Sequence, residues 1–284
     1  MIDAALVLEG GSLRGMFTCG VLDTFLEEEI EFAYVNGVSA GGMNGMNYIS
    51  KQIGRSLEIN KRFLHDKRYI SFKNMVRNRL LFNFDFLFGE LSDHLVPYHF
   101  DAFFASPQKY EVVATRCRTG KPEFFAKDEC QDILKAIQAS ASIPIMSKMI
   151  DVGGKKYLDG GVSLPIAYQR AFDLGYQKAV VILTREQGFR KKPLDRFMLR
   201  GYERYFEPLP ELLAALKEVP DRYNRMQEEM EELERQGRLL IIRPEFPVTV
   251  SRVEQDLQKL EALYREGQRI GRDQLKQLTE FLEI

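Results

Sequence analysis

A serine in a glycine frame constrains this chain more than any other feature: Ser39 sits in Gly37-Val38-Ser39-Ala40-Gly41. The strand-like run Phe32-Ala33-Tyr34-Val35-Asn36 leads into it, and a helical stretch from Gly41 to about residue 52 leaves it. Strand, G-x-S-x-G and helix in succession form a nucleophile elbow, a sharp turn that exposes the serine Oγ at a sheet's edge. Side chains in place of Gly37 or Gly41 would collide with the turn or block an approaching acyl group. In α/β-hydrolases the triad runs serine, acid, histidine. The histidines here are His65, His94 and His99, so any acid beyond residue 99 has no histidine after it. Ser39 also follows only two strands, too early for that fold. His94 or His99 acting from before the acid is a minor alternative, since that chain order occurs in other folds.

One carboxylate stands out as the base. Asp159 lies in Tyr157-Leu158-Asp159-Gly160-Gly161, after a tight turn at Gly153-Gly154. Gly160 and Gly161 add no bulk, so this aspartate can approach another loop closely. Within hydrogen-bond reach of Ser39 Oγ it could take the serine proton and return it to a leaving alkoxide. The plainer reading is a turn aspartate accepting backbone N–H bonds.

The third element is Leu6-Val7-Leu8-Glu9-Gly10-Gly11-Ser12-Leu13-Arg14-Gly15, a buried strand and a glycine-rich turn ahead of a helix at 16–29. Such a turn presents successive N–H groups to an anion, and the helix dipole adds positive potential. A dinucleotide fingerprint would need glycine at Ser12, and a Walker loop would need Lys-Ser/Thr after Gly15. An oxyanion hole from Gly10, Gly11, Ser12 and Leu13 remains. Arg14 either braces this loop, adds charge to it, or is a surface residue of the first helical turn.

In this order, the glycine loop, the elbow and Asp159-Gly160-Gly161 resemble the patatin-like phospholipases, particularly the bacterial branch with an extended C-terminal region. Ala139-Ser140-Ala141-Ser142-Ile143-Pro144 resembles the Ala-Ser-x-x-x-Pro stretch that precedes the family's Asp-Gly-Gly. The match covers roughly residues 4 to 185. The resemblance implies a three-layer α/β/α fold with a mostly parallel central sheet, plus a helical C-terminal extension. It implies lipid acyl-ester hydrolysis of the phospholipase A or lysophospholipase type through a Ser39–Asp159 dyad and an acyl-serine, with no metal or cofactor. Arg14, Gly15, Gly37, Gly41, Gly160 and Gly161 would support the site. One departure is Ser12, where the family usually carries a third glycine. If the position requires positive φ, serine costs roughly 1 kcal/mol and can tilt an oxyanion donor. Two other classes stay open: a non-catalytic lipid- or acyl-binding protein on the same fold, and an esterase of small soluble esters.

Composition narrows the partners. With 40 basic and 41 acidic residues, nucleic acid is not expected as a bulk electrostatic partner. No 18-residue uncharged apolar run would make a spanning helix, and the start lacks a signal-peptide pattern. Three cysteines without metal spacing read as reduced thiols of a cytoplasmic protein. Strands are expected near 4–9, 32–36, 110–116, 122–126, 155–158, 179–184 and 239–243. The later helices are expected near 55–66, 131–140, 163–174 and 209–236. The catalytic domain is expected to span 1–185 and a mainly helical extension packed on it 186–284. Residues 67–104 mix Lys67, Arg68, Lys73, Arg77 and Arg79 with Phe72, Phe82, Phe84, Phe86 and Phe88. They form a cap over an acyl pocket, a patch meeting a membrane surface, or a subdomain with buried phenylalanines; the first and last are compatible. In the extension, Val253, Leu257, Leu260, Leu263 and Tyr264 share a helix face, with Ser251 and Glu254 as a capping box. The acidic run from Glu228 to Glu234 reads as a solvated face. Oligomeric state is not readable from the chain.

Overall fold

In the computed structural model every residue is described except Leu80 and the side chain of Phe72, so that part of the 67–104 expectation lies outside the described residues. An eight-stranded sheet crosses the chain in the order β5-β6-β3-β2-β1-β7-β8, with β4 also paired to β3. The strands are β1 (Ile2–Leu8), β2 (Phe32–Val38), β3 (Lys109–Arg116), β4 (Pro122–Ala126), β5 (Ile150–Val152), β6 (Lys155–Asp159), β7 (Ala179–Ile182) and β8 (Leu239–Ile242). β1, β2, β3, β7 and β8 run parallel, while β4, β5 and β6 pair antiparallel.

The central strands are almost continuously apolar because both faces of the sheet are covered. Along β1, Ala4, Leu6 and Leu8 enter one core layer while Ala5 and Val7 enter the other. This alternation makes the three-layer α/β/α fold. The chain passes from β1 through α1 (Met16–Glu27) to β2, then through α2 (Ala40–Ile49) and α3 (Arg55–Phe63) toward β3. It later returns to β7 and β8 on the far side of β1. The loops leaving β1, β2 and β7 therefore gather where the winding direction reverses, the position at which doubly wound sheets hold ligands.

Residues 186–284 contribute β8 to this sheet and a long helix, Leu257–Asp273, against α1. The two helices cross at glycines. A Cβ on Gly20 would fall on the Tyr264 carbonyl oxygen, and one on Gly267 on that of Phe17. Only glycine permits so close an approach. Leu260, Leu263 and Tyr264 are buried there, as is Leu278 of the terminal helix. Glu254 accepts the Ser251 N–H at 3.2 Å, yet the helix starts only at Leu257, where the Asp256 carboxylate caps it.

Two local expectations are corrected. The helix read over 209–236 is two helices, Pro210–Lys217 and Val219–Arg235. Pro220 lacks the N–H needed to continue a helix but suits the first turn of a new one. β5 adds a strand that the sequence pattern does not announce, since three residues carry no readable alternation. In the 67–104 segment Phe84 and Phe86 are buried, while Phe82 and Phe88 pack partly buried against the same core.

Candidate active site

β3 brings Ser39 and Asp159 together. β2 pairs with β3 up to Val38↔Val113, and β6 pairs from Ala114↔Asp159 onward. β4 occupies the opposite edge along both stretches. β2 and β6 thus share one edge of β3 and meet end to end, because one runs parallel and the other antiparallel to it. The residue after β2 is Ser39, and the last residue of β6 is Asp159.

Ser39 has φ 56° and ψ −123°, a backbone state that is costly for any side chain. Its N–H donates to Ser140 Oγ at 2.8 Å and its carbonyl accepts from Met43 at 3.3 Å, which fixes the elbow from both sides. Its Oγ donates to Asp159 Oδ2 at 2.7 Å. The other carboxylate oxygen, Oδ1, accepts the Gly161 N–H at 2.8 Å, so both sequence readings of Asp159 apply, one to each oxygen. The Asp159 backbone is held in turn: its N–H donates to Ser142 O at 2.9 Å, and its carbonyl accepts from Thr115 Oγ1 at 2.8 Å. Burial raises the Asp159 pKa above the usual carboxylate value. The Ser39 hydroxyl, the Gly161 N–H and the charges of Arg252 and Lys191 oppose that rise.

The loop after β1 lies directly against this pair. A Cβ on Gly10 would stand 2.9 Å from that of Ser39. Among the described residues, the N–H groups of Gly10 to Leu13 have no hydrogen-bond acceptor. Ser12 has φ 54°, the left-handed state that glycine adopts without cost. Its hydroxyl donates to Arg252 O at 2.7 Å, across 240 residues of sequence. Gly15 packs on Asn44, Gly37 on Gly41, and Gly160 on Val113. Arg14 is buried rather than a surface residue, and its Nε has no partner among the described residues. Burial lowers its pKa to about 10, with the like charges of Arg185 and Arg252 adding to the effect. His65, His94 and His99 are exposed and line neither cavity at Ser39.

Ser39 stands at the junction of two cavities. One, about 110 Å³, follows α2 from Ala40 to Asn47 and is closed by Ile59, Tyr69, Phe82, Phe84, Leu87 and Phe88. Most of its wall is apolar. The other, about 400 Å³, contains Asp159 and the glycine loop and is walled by residues from beyond position 184, among them Arg185, Lys191, Tyr223 and Arg252. Ser140 lay within a motif legible in the sequence, whereas nothing local marked Arg185, Lys191 or Arg252. A hydroxyl bonded to a carboxylate, beside free N–H donors and an apolar slot, can attack a carbonyl carbon and shelter the resulting oxyanion.

A mostly parallel α/β/α sheet with a serine elbow facing an aspartate defines the class. The family model described as patatin-like phospholipase matches residues 6–169. The chain belongs to that family. A second model, a domain of unknown function (DUF6363), matches residues 209–283. The chain is similar to the uncharacterized protein YjjU of Escherichia coli K12, with 32% identity over 185 residues, or 63% of this chain and 51% of that protein. The crystal structure of VipD from Legionella pneumophila superposes with a TM-score of 0.52 at 13% identity, covering 99% of this chain and 66% of that one. The chain thus spans about half of YjjU and just under two thirds of VipD, and the latter likeness concerns the fold.

Proposed function

We propose that the protein hydrolyses carboxylic esters of lipids, with Ser39 as nucleophile and Asp159 as its base. The observation that carries this reading is the 2.7 Å hydrogen bond from Ser39 Oγ to Asp159 Oδ2 at the mouth of an apolar slot. Asp159 takes the hydroxyl proton as Oγ bonds to the acyl carbon. The carbonyl electron pair moves to oxygen, which the N–H groups of Gly10 to Leu13 stabilise. Collapse breaks the ester C–O bond, and the alkoxide leaves with the proton from Asp159. Water, deprotonated by Asp159, then cleaves the acyl-serine to release the fatty acid and restore the Ser39 hydroxyl. The acyl chain lies along α2 in the apolar slot.

Among the motif residues, Ser12 is the one that favours the alternative of a protein that binds lipid without turnover. Its φ of 54° meets the condition under which serine is strained there, at roughly 1 kcal/mol, and the hydroxyl bond to Arg252 O offsets that cost. The rim of the site supports contact with a bilayer. Val76 and Phe197 are 78% and 90% exposed on helices Phe72–Asn78 and Arg196–Phe206. The Arg79 guanidinium lies 3.6 Å from the Tyr205 ring and joins the two helices. The exposed Lys73 and Arg77 share the first of these helices with Val76, and the exposed Arg196 and Arg200 share the second with Phe197, a composition suited to an anionic lipid surface. Among the described residues no helix is long and apolar enough to cross a membrane.

The test is labelling with a fluorophosphonate probe, with peptide mapping and Ser39→Ala as control. Stoichiometric modification of Ser39 supports the reading. A folded protein that remains unlabelled and releases no fatty acid overturns it.

A further inference from the structure

The slot along α2 begins apolar and ends polar. Close to Ser39 its wall includes Leu13, Ala40, Met43 and Ile143. Asn47 stands farther along α2, about 12 Å from Ser39 at the helical rise of about 1.5 Å per residue. At that level the lining becomes Asn47, Arg55, Ser56, Asn60, Tyr69 and Ser92. A slot for a plain alkyl chain needs no polar groups at its far end, where a buried donor or acceptor without a partner is costly. Two such atoms are present: Arg55 Nε and Asn60 Oδ1 are buried and have no partner among the described residues. The Tyr69 hydroxyl is buried too, and no hydrogen bond opposes the effect of burial, which pushes its pKa up to about 12.

Arg55 also brings a charge that nothing in the slot answers. Among the described residues it is the slot's one cation, and no carboxylate lines the wall. Its side chain is held firmly but by neutral groups. Nη1 donates to Asn47 Oδ1 at 3.2 Å, and Nη2 donates to Ser92 Oγ at 2.9 Å and to Val96 O at 3.0 Å. The guanidinium carbon lies 5.0 Å from the Tyr98 ring centroid. Glu58, one turn on in α3, is exposed and pairs with Arg62 at 2.8 Å instead. Arg55 itself is only 7% exposed. Burial lowers its pKa to about 10, which leaves it charged at neutral pH. A buried cation with fixed geometry and no counter-charge is costly unless a ligand supplies one.

Resting on the ester-hydrolase reading above, we infer that the far end of the slot is a receptor for an anionic chain terminus, so that the preferred acyl group is a half-ester of a dicarboxylic acid. The ester carbonyl meets Ser39, and the carboxylate at the other end of the chain meets Arg55 and the Tyr69 hydroxyl. That carboxylate supplies the missing charge and accepts from donors the fold leaves free. The apolar stretch between the two ends sets the number of methylenes, while Arg55 sets what terminates them. A chain ending in methyl fills the same stretch but leaves the guanidinium unanswered.

The test reads binding, with the Ser39→Ala protein so that turnover plays no part. It is titrated with octanoate, with suberate, which adds a carboxylate at the far end of the same chain, and with octanoate bearing a terminal hydroxyl. Suberate is expected to bind about tenfold more tightly than octanoate, or better. Adding Arg55→Met should abolish that advantage, Arg55→Lys should keep part of it, and Tyr69→Phe should reduce it about two- or threefold. Octanoate binding as tightly as suberate, or suberate not binding at all, overturns the receptor. Tightest binding of the hydroxylated chain overturns its anionic character. Tyr69→Phe removes only a hydroxyl without a partner, so it is expected to fold even if Arg55→Met does not; thermal denaturation checks both. Fluorophosphonate labelling of the wild-type protein is scored separately, so failure here is distinguishable from failure of the serine chemistry.

Discussion

The hydroxyl of Ser12 donates to the carbonyl of Arg252 at 2.7 Å, joining the glycine loop after β1 to the C-terminal region. Two opposing terms act at this position. A non-glycine residue at φ 54° costs about 1 kcal/mol, and a hydrogen bond of this kind contributes about the same. Ser12→Ala keeps the strain and loses the bond, so it should lower stability by about 1 kcal/mol. Ser12→Gly loses both and should stay within about 0.5 kcal/mol of the parent. Chemical denaturation of the three proteins checks the order. If Ser12→Ala matches the parent in stability, the bond contributes nothing.

If Asp159 is the base, as proposed, it sets the acid limb of activity. Its pKa is raised, and below it the protonated carboxyl cannot accept the Ser39 proton. kcat/KM should therefore fall as the pH drops, along a limb centred above the ordinary aspartate value of about 3.9. The positive charge of Arg252 holds that pKa down, so Arg252→Ala should move the limb to higher pH. Asp159→Asn should lose on the order of 10²–10⁴ in kcat at every pH. A pH profile of ester hydrolysis reads all three, and an unmoved limb in Arg252→Ala would refute the electrostatic coupling.

The parts of the site legible in the sequence are those encoded by local turns. The elbow at Ser39, the glycine loop and Asp159-Gly160-Gly161 each need small residues at fixed offsets, so a few adjacent residues announce them. The α/β/α layering was legible for a similar reason, through the apolar runs of β1 and β7. What was not legible depends on contacts distant in the chain. Arg185, Lys191 and Arg252 lie in charge-rich sequence where a solvated surface is the default reading. The Gly20–Gly267 crossing depends on two helices 247 residues apart whose glycines carry no local signal. Pro220 does not by itself announce the boundary between the two helices, because proline is compatible with a helical start as well as with a break.

The apolar slot should set acyl-chain preference. Ile59 is buried in its wall, alongside Phe84 and Leu87. Ile59→Phe adds volume there and should shift the optimum to shorter chains, at a stability cost of about 1–3 kcal/mol. Profiling a series of p-nitrophenyl esters measures the shift. An unchanged profile in a folded variant would place the chain elsewhere.

The rim predicts a difference between aggregated and soluble substrate. Val76→Glu/Phe197→Glu puts two carboxylates where the basic helices would meet anionic lipid. Binding to phosphatidylglycerol vesicles should fall by an order of magnitude or more, each substitution removing apolar burial and adding repulsion. Hydrolysis of a water-soluble ester should fall far less. Vesicle sedimentation with parallel assays decides, and equal losses on both substrates would refute a docking role.

Asp23 links α1, the loop before α3 and the extension. Its carboxylate accepts from the Tyr264 hydroxyl at 2.6 Å and from the Gly54 N–H at 2.9 Å. Burial nevertheless raises its pKa to about 6, because the two donors only partly replace lost water. With an unfolded value near 3.9, the folded protein binds more protons than the unfolded chain between about pH 4 and pH 6. The contribution is therefore fully present below pH 4 and is lost as the pH rises through 6, amounting to roughly 2–3 kcal/mol. Asp23→Asn removes this titration while leaving an acceptor for Tyr264. Urea denaturation from pH 4 to pH 7 should give a difference between the two proteins that moves in favour of the variant as the pH rises. A difference that is flat across that range would mean that Asp23 titrates alike in the folded and unfolded chain.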